Sequence, residues 1–156
     1  MLSRSWTTRT RRPGEDEDAY VFVESDAFVA HQLEGGFLEW AKVLGEYYGT
    51  PVPEPKEGRD IVLEIDVQGA RQVLENYPDA FCVLVLAPSV EVQVQRLRSR
   101  GDSAEHIARR VELGRHEEHE GRALASFVLI NDDLDRAVGE LADIVEQIRR
   151  RDLARP

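Results

Sequence analysis

Phe81-Cys-Val-Leu-Val-Leu-Ala87 is an unbroken apolar run, and Pro88-Ser89 closes it. A short run of this kind bounded by turn residues fits a strand buried on both faces, the usual state of a strand in a parallel sheet covered by helices. Ser89 is a helix-capping residue, and Val90, Val94 and Leu97 beyond it fall on one side of a helix. Two other segments repeat the pattern. Asp60-Ile-Val-Leu-Glu-Ile-Asp66 reads as a buried strand leading into a helix over 68–76. Phe127-Val-Leu-Ile130 leads through Asn131-Asp-Asp133 into a last helix, with Leu134, Val138, Leu141, Val145 and Ile148 along one apolar stripe. Asp102 and Glu105 form a capping pair for a further helix through about Glu120. The alternation predicts an α/β fold, a three-layer arrangement with a parallel sheet between helices, as a single domain over 1–156. Ligands of such sheets sit beyond the carboxyl ends of the strands, which singles out Glu64, Asp66, Ser89, Asn131 and Asp132.

Upstream the pattern is more broken. Tyr20-Val-Phe-Val23 reads as a strand, and Ser25-Asp26 as the cap of a helix running to Gly35-Gly36. Phe37-Leu-Glu-Trp-Ala41 and Glu46-Tyr-Tyr-Gly-Thr50 read as short strands, and Pro51, Pro53, Pro55 and Gly58 make the next stretch a loop.

Composition narrows the function. The formal net charge of −10 opposes general binding to nucleic acid or to anionic membranes. No apolar run approaches the roughly 20 residues that span a bilayer. Cys82 is the only cysteine, so no intrachain disulfide can form, and a reduced, cytoplasmic setting is the expectation. Within its apolar run Cys82 reads as a small hydrophobe rather than a reactive thiol. Nothing in the sequence sets an oligomeric state. The charge is uneven: Arg4, Arg9, Arg11 and Arg12 all precede the first acid, Glu15. Such a cluster suits a local anion site, a tail or a targeting segment, although it lacks the amphipathic period of a transit peptide.

Chemistry-bearing residues concentrate in this first third. Arg9 and Arg12 stand three apart in a Gly/Pro-punctuated loop, Ser5-Trp-Thr-Thr-Arg9-Thr-Arg-Arg12-Pro-Gly-Glu15. Two guanidinium forks can hold a dianionic phosphate through charge-assisted bonds; on spacing alone, a solvated basic turn is the simpler reading. Glu39 lies between apolar neighbours, where a carboxylate can accept the N1–H and N2–H donors of guanine, an edge that adenine lacks. Alone, it also fits the solvent side of an alternating strand, and Tyr48 alone fits core or rim. His116-Glu-Glu-His119 has its histidines three apart instead of the four that a zinc-protease helix needs, so it reads as a solvated acidic helix.

Taken in register, these segments say more. Ser5-x-Thr-Thr-Arg9-x-x-Arg12-x-Gly-Glu15, then Phe37-Leu-Glu-Trp40, Tyr47-Tyr-Gly-Thr50, Leu63-Glu-Ile-Asp-Val-Gln-Gly-Ala70, Arg96-Leu-x-x-Arg-Gly101 and Asn131-Asp-Asp-Leu-Asp135 resemble the guanylate kinases, from about residue 3 to about 142. The resemblance implies a P-loop nucleoside-monophosphate-kinase fold and transfer of the ATP γ-phosphoryl to GMP, with Mg2+ accompanying ATP. It implies a GMP-binding subdomain over about 20–52 and a lid over about 98–120. By similarity, Arg9, Arg12, Tyr20 and Tyr48 bind the GMP phosphate; Ser5, Glu39, Thr50 and Asp66 line the guanine pocket; Glu64 faces the metal-and-phosphate region. Arg96, Arg100 and Arg110 bring charge to the transferring phosphoryl, and Asn131 falls on the adenine side. Arg96 and Arg100, four apart, should share one helix face away from Val94.

One family element has no counterpart. Lys42 and Lys56 are the only lysines and follow Ala41 and Pro55, so the sequence holds no G-x-x-x-x-G-K-[ST] loop. By comparison with the family, the first strand, the phosphate loop and its helix, a unit of roughly 30 residues, are missing. Such a chain is expected to keep the GMP site and lid while showing little kinase activity and reduced stability. A start codon placed too late would explain this as well as a real loss would, and the DNA upstream of Met1 is the check. The alternative is a non-catalytic guanylate-kinase-like module that uses the GMP site for phosphopeptides.

Overall fold

The computed structural model describes residues 1–53 and 60–153. They fall into two compact units, Met1–Ala80 and a second beginning at Phe81. Pro55 and Gly58 of the expected proline-rich loop lie outside the described residues.

The first unit contains β1 (Trp6–Thr7), β2 (Val21–Phe22), α1 (Ser25–Leu33), β3 (Phe37–Val43), β4 (Glu46–Pro51) and α2 (Val67–Asn76). Its four-stranded sheet has the order β2-β1-β4-β3. β1 and β2 run parallel, whereas β4 is antiparallel to both β1 and β3. Leu44-Gly45 joins β3 to β4, with φ of 51° and 98°. A two-residue loop with both φ positive matches the twist of a hairpin, and Gly45 supplies one of these angles without strain. α1 seats on the sheet through Phe28, which is fully buried and stacks on Phe37 at 4.4 Å and on Tyr47 at 5.2 Å. Its N-cap is Glu24, without a side-chain cap bond, so Ser25-Asp26 begin the helix instead of capping it. The residue with extended backbone takes the cap position, whatever its side chain could accept.

The expected buried strand over 60–66 is not one. Its ladder reduces to a single parallel bridge, Leu2 with Val62, and Ile61 and Val62 are exposed. Apolar composition alone makes no strand; a ladder needs a partner for each outward N–H and C=O, and among the described residues the Met1–Ser3 backbone is what pairs with Val62.

The second unit contains β5 (Val83–Leu86), α3 (Val90–Ser99), α4 (Ala104–Leu124), β6 (Phe127–Ile130) and α5 (Leu134–Leu153). β5 and β6 pair in parallel, the arrangement the apolar runs predict. Burial on both faces does not hold: Leu129 is 2 % exposed, but Val85 is 51 % exposed. Ser89 caps α3 by accepting from Val92 N–H. Ser103, not Asp102, caps α4, because Ser103 has the extended backbone and accepts from His106 N–H. The carboxylate of Asp102 instead takes Arg100. On α5 the buried line is Ala137 and Ile144, seven residues apart, while Leu134, Val138 and Leu141 of the expected stripe are exposed. A small residue at Ala137 is compatible with close approach of the helix, which seats beside β6 on that line.

Candidate functional site

Two clusters form in the first unit, at successive same-face positions of β4. Thr50 and Tyr48 are two residues apart on that strand, so their side chains project to one face.

At the Thr50 end, three polar side chains are buried together. Glu39 is 4 % exposed, Thr50 fully buried and Ser5 9 % exposed. Register places Glu39 opposite Thr50. Thr50 N–H donates to Glu39 Oε1 at 2.9 Å, and the Ser5 and Thr50 hydroxyls lie 3.3 Å apart. Among the described residues no cation pairs with Glu39. Burial pushes its carboxyl above the usual range; bonds from Thr50 pull it down, and the Asp66 charge pushes it up again. Asp66 caps α2 by accepting from Gly69 N–H at 2.8 Å. Ser5, Glu39, Thr50 and Asp66 are thus brought to one place. A buried, unpaired carboxylate is costly to a fold and invites a donor-bearing ligand.

At the Tyr48 end, Arg9 is gripped by Glu15. Its Nη1 and Nη2 donate to the two carboxylate oxygens at 2.9 and 2.6 Å, and the side chains are only 12 % and 16 % exposed. Glu15 also accepts the Arg12 backbone N–H at 2.9 Å. Arg9 therefore holds the Glu15 carboxyl down to about 2, and Glu15 in turn raises the Arg9 guanidinium, with Tyr48 adding to that shift. The Arg9 Nε–H is buried with no acceptor among the described residues. Arg9 stands over the Tyr20 ring at 5.5 Å, and Tyr20 meets Tyr48 edge-on at 6.1 Å. Burial raises the Tyr20 hydroxyl, and the charge of the exposed Glu64 raises it further. The half-buried Arg12 guanidinium enters no ion pair among the described residues. Arg9, Tyr20 and Tyr48 are brought together; Arg12 joins them through its backbone, and Glu64 through its field.

Several supports were not singled out from the sequence. Thr7, fully buried, donates to Tyr47 C=O at 3.0 Å and accepts Arg9 N–H at 3.2 Å, fixing where the arginine loop begins. Thr8 donates to Glu46 at 2.7 Å. Their signal was the Thr-Thr pair before Arg9. Glu15 closed the same motif, but nothing local showed that it would grip Arg9.

In the second unit two of the three expected cations rest on groups of the same chain. Arg96 Nη2 donates to the Asn131 carbonyl at 2.8 Å. Arg100 is the C-cap of α3 and forks onto Asp102 at 3.0 and 2.7 Å. The shared helix face expected for Arg96 and Arg100 therefore ends at the helix terminus. Arg110 is half-buried on α4. Burial raises the half-buried Cys82 thiol, consistent with an unreactive side chain. His116 lies 3.9 Å from Glu112 on the exposed side of α4. Among the described residues no group of three His, Cys, Asp or Glu is placed to hold a metal ion. No helix among them is long and apolar enough to cross a membrane.

An α/β chain that pairs a buried, cation-free acid with an adjoining arginine–tyrosine cluster has the make-up of a protein that binds a small anion with hydrogen-bond donors. Comparisons narrow that class. The family model for guanylate kinase matches residues 2–148. A guanylate kinase of Symbiobacterium thermophilum is 46 % identical over 150 residues, covering 92 % of this chain and 71 % of that protein. One from Neisseria gonorrhoeae is 44 % identical over 154 residues, covering 95 % and 75 %. The crystal structure of guanylate kinase from Anaplasma phagocytophilum superposes with a TM-score of 0.76 at 26 % identity, covering 94 % of this chain and 74 % of that one. The chain belongs to the guanylate kinase family, a family of phosphotransferases.

Proposed function

We propose that the first unit binds GMP: Glu39 and Asp66 accept from the guanine edge with Ser5 and Thr50 beside them, and Arg9, Arg12, Tyr20 and Tyr48 hold the 5′-phosphate, with Glu64 toward the phosphates. The observation that carries this is Glu39, buried and without a cation beside two buried hydroxyls. Guanine's N1–H and N2–H would satisfy that carboxylate; adenine would leave it unpaired, and an unsatisfied buried acceptor is penalised more than a satisfied one is rewarded. The orphaned Arg9 Nε–H, beside a guanidinium already oriented by Glu15, suits a phosphate oxygen.

In the same reading the reaction is phosphoryl transfer from ATP to GMP. It needs positioned charge rather than a covalent intermediate, and Arg96, Arg100 and Arg110 are the cations for it, with Asn131 on the adenine side. Residues about 98–120 act as the lid and about 20–52 as the core of the GMP-binding part. Mg2+ arrives with ATP. Its usual hydroxyl ligand in a phosphate loop has no counterpart in this sequence, which lacks the lysine-bearing glycine loop. Without that loop's N–H nest and lysine, the 156-residue chain binds GMP but turns it over far below the rate of the longer relatives.

Calorimetric titration with GMP and a coupled assay with ATP and GMP test both halves. Heat with GMP and negligible turnover are expected. No heat with GMP, or heat with a phosphoserine peptide instead, overturns the first half; turnover comparable to the relatives overturns the second.

A further inference from the structure

We propose that Gly69 and Gln72 of α2 are positioning residues for the Glu39 carboxylate, and that they help set the choice of base. The proposal rests on Glu39 being the guanine acceptor. Three residues apart, the two lie on one face of the helix, and each engages β3 at or beside Glu39.

Among the described residues β3 is an edge strand of its sheet, so alternate backbone groups point away from β4 with no strand there to meet them. At Trp40, next to Glu39, Gln72 takes that place. Trp40 N–H donates to Gln72 Oε1 at 3.2 Å, and Gln72 Nε2 donates back to the Trp40 carbonyl at 2.7 Å. A primary amide offers one donor and one acceptor side by side, as a neighbouring strand would, and pins the backbone that carries Glu39.

Gly69 acts by what it lacks. A Cβ there would lie 2.3 Å from Glu39 Oε2 and 2.9 Å from its Cδ. Its φ is outside the left-handed region, so the backbone does not require glycine. Glycine weakens a helix, and here it leaves room for a carboxylate against the first turn. The Gly69 N–H meanwhile goes to Asp66 Oδ1 at 2.8 Å, so one turn seats both acids of the slot. With Thr50 N–H on Oε1 and the bare Gly69 beside Oε2, Glu39 is held from both sides.

The test titrates the full chain and its Gly69→Ala, Gln72→Met and Glu39→Gln variants with GMP, AMP and ribose 5-phosphate, with circular dichroism as the check on folding. Ribose 5-phosphate reads the arginine end alone. Gly69→Ala should lose about ten- to a hundredfold in GMP affinity, and Gln72→Met about fivefold, with ribose 5-phosphate binding held within about twofold. The GMP-over-AMP preference should fall with GMP affinity in both. If Gly69→Ala does not fold, Gln72→Met decides, since it keeps the helix and side-chain volume. If the folded variants keep the preference while Glu39→Gln loses it, the positioning role is wrong and the guanine assignment stands. If Glu39→Gln keeps it too, both fall. A uniform loss for all three ligands also overturns the proposal, because it marks general damage.

Discussion

Among the described residues Glu15 meets a cation and Glu39 meets none, although both are carboxylates sequestered in the same unit. At the arginine loop, Arg9 forks onto Glu15 and holds its carboxyl down to about 2. At the base slot, burial pushes the Glu39 carboxyl up, and only Thr50 eases it. The first arrangement is complete within the protein and orients an arginine. The second has no cation among the described residues, and in the proposed reading a ligand's donors complete it. A carboxylate whose cost to the fold goes uncompensated is therefore the stronger pointer to function, and the satisfied one marks the scaffold around it. The second unit shows a third arrangement: Arg96 and Arg100 are exposed and rest on the chain's own carbonyl and carboxylate. Exposed pairs of this kind contribute little to stability and separate readily.

The largest expected effect comes from Glu39→Gln. The amide keeps an oxygen for Thr50 N–H but loses the charge that guanine's donors seek, so GMP affinity should fall about a hundredfold by calorimetry. Stability should move the other way. A raised folded-state pKa means that the native protein binds more protons than the unfolded chain above pH 4.5, so stability declines as pH rises through that window. The variant lacks this decline, and its thermal stability at neutral pH should equal or exceed that of the parent. Lower stability with intact GMP binding would erase the contrast between the two acids.

Arg9→Met comes next. It removes the proposed phosphate ligand and strands Glu15, so GMP and ribose 5-phosphate should weaken alike, by about thirtyfold, with a loss of roughly 2 kcal/mol in urea unfolding. Selective loss of GMP alone would mean that Arg9 does not serve the phosphate.

Much of this was legible in the residues, for reasons that also explain the failures. Hairpin partners β3 and β4 are close in sequence, and their alternation brought Glu39 to Thr50. Ser89, an extended residue ahead of an apolar helix face, was readable as a cap. The segment 60–66 was misread because its apolar pattern carries no information about whether a partner strand is present. The stripe on α5 was misread because Ala137, too small to mark a hydrophobic period, is where that helix seats. Gln72 and Gly69 were invisible as supports: one acts through a backbone bond 32 residues away and the other by an absent side chain.

Smaller effects sharpen the comparison. Glu15→Gln should destabilise the protein at neutral pH, since a depressed folded-state pKa contributes stability present above 4.5 and lost as pH falls through about 2. The gap between variant and parent should therefore narrow as urea unfolding is repeated from pH 5 downward; a constant gap would mean that the Arg9 pairing is not its source. Arg100→Ala should change stability by no more than about 0.5 kcal/mol and leave GMP binding unaltered. A larger loss would show that the Asp102 contact is structural.

Inosine monophosphate differs from GMP only in lacking the 2-amino group, so the ratio of their dissociation constants isolates the contact assigned to Glu39. The parent chain should favour GMP by about tenfold or more, and Glu39→Gln should bring the ratio close to one. An undiminished preference in the folded variant would contradict the assignment of the buried carboxylate to guanine.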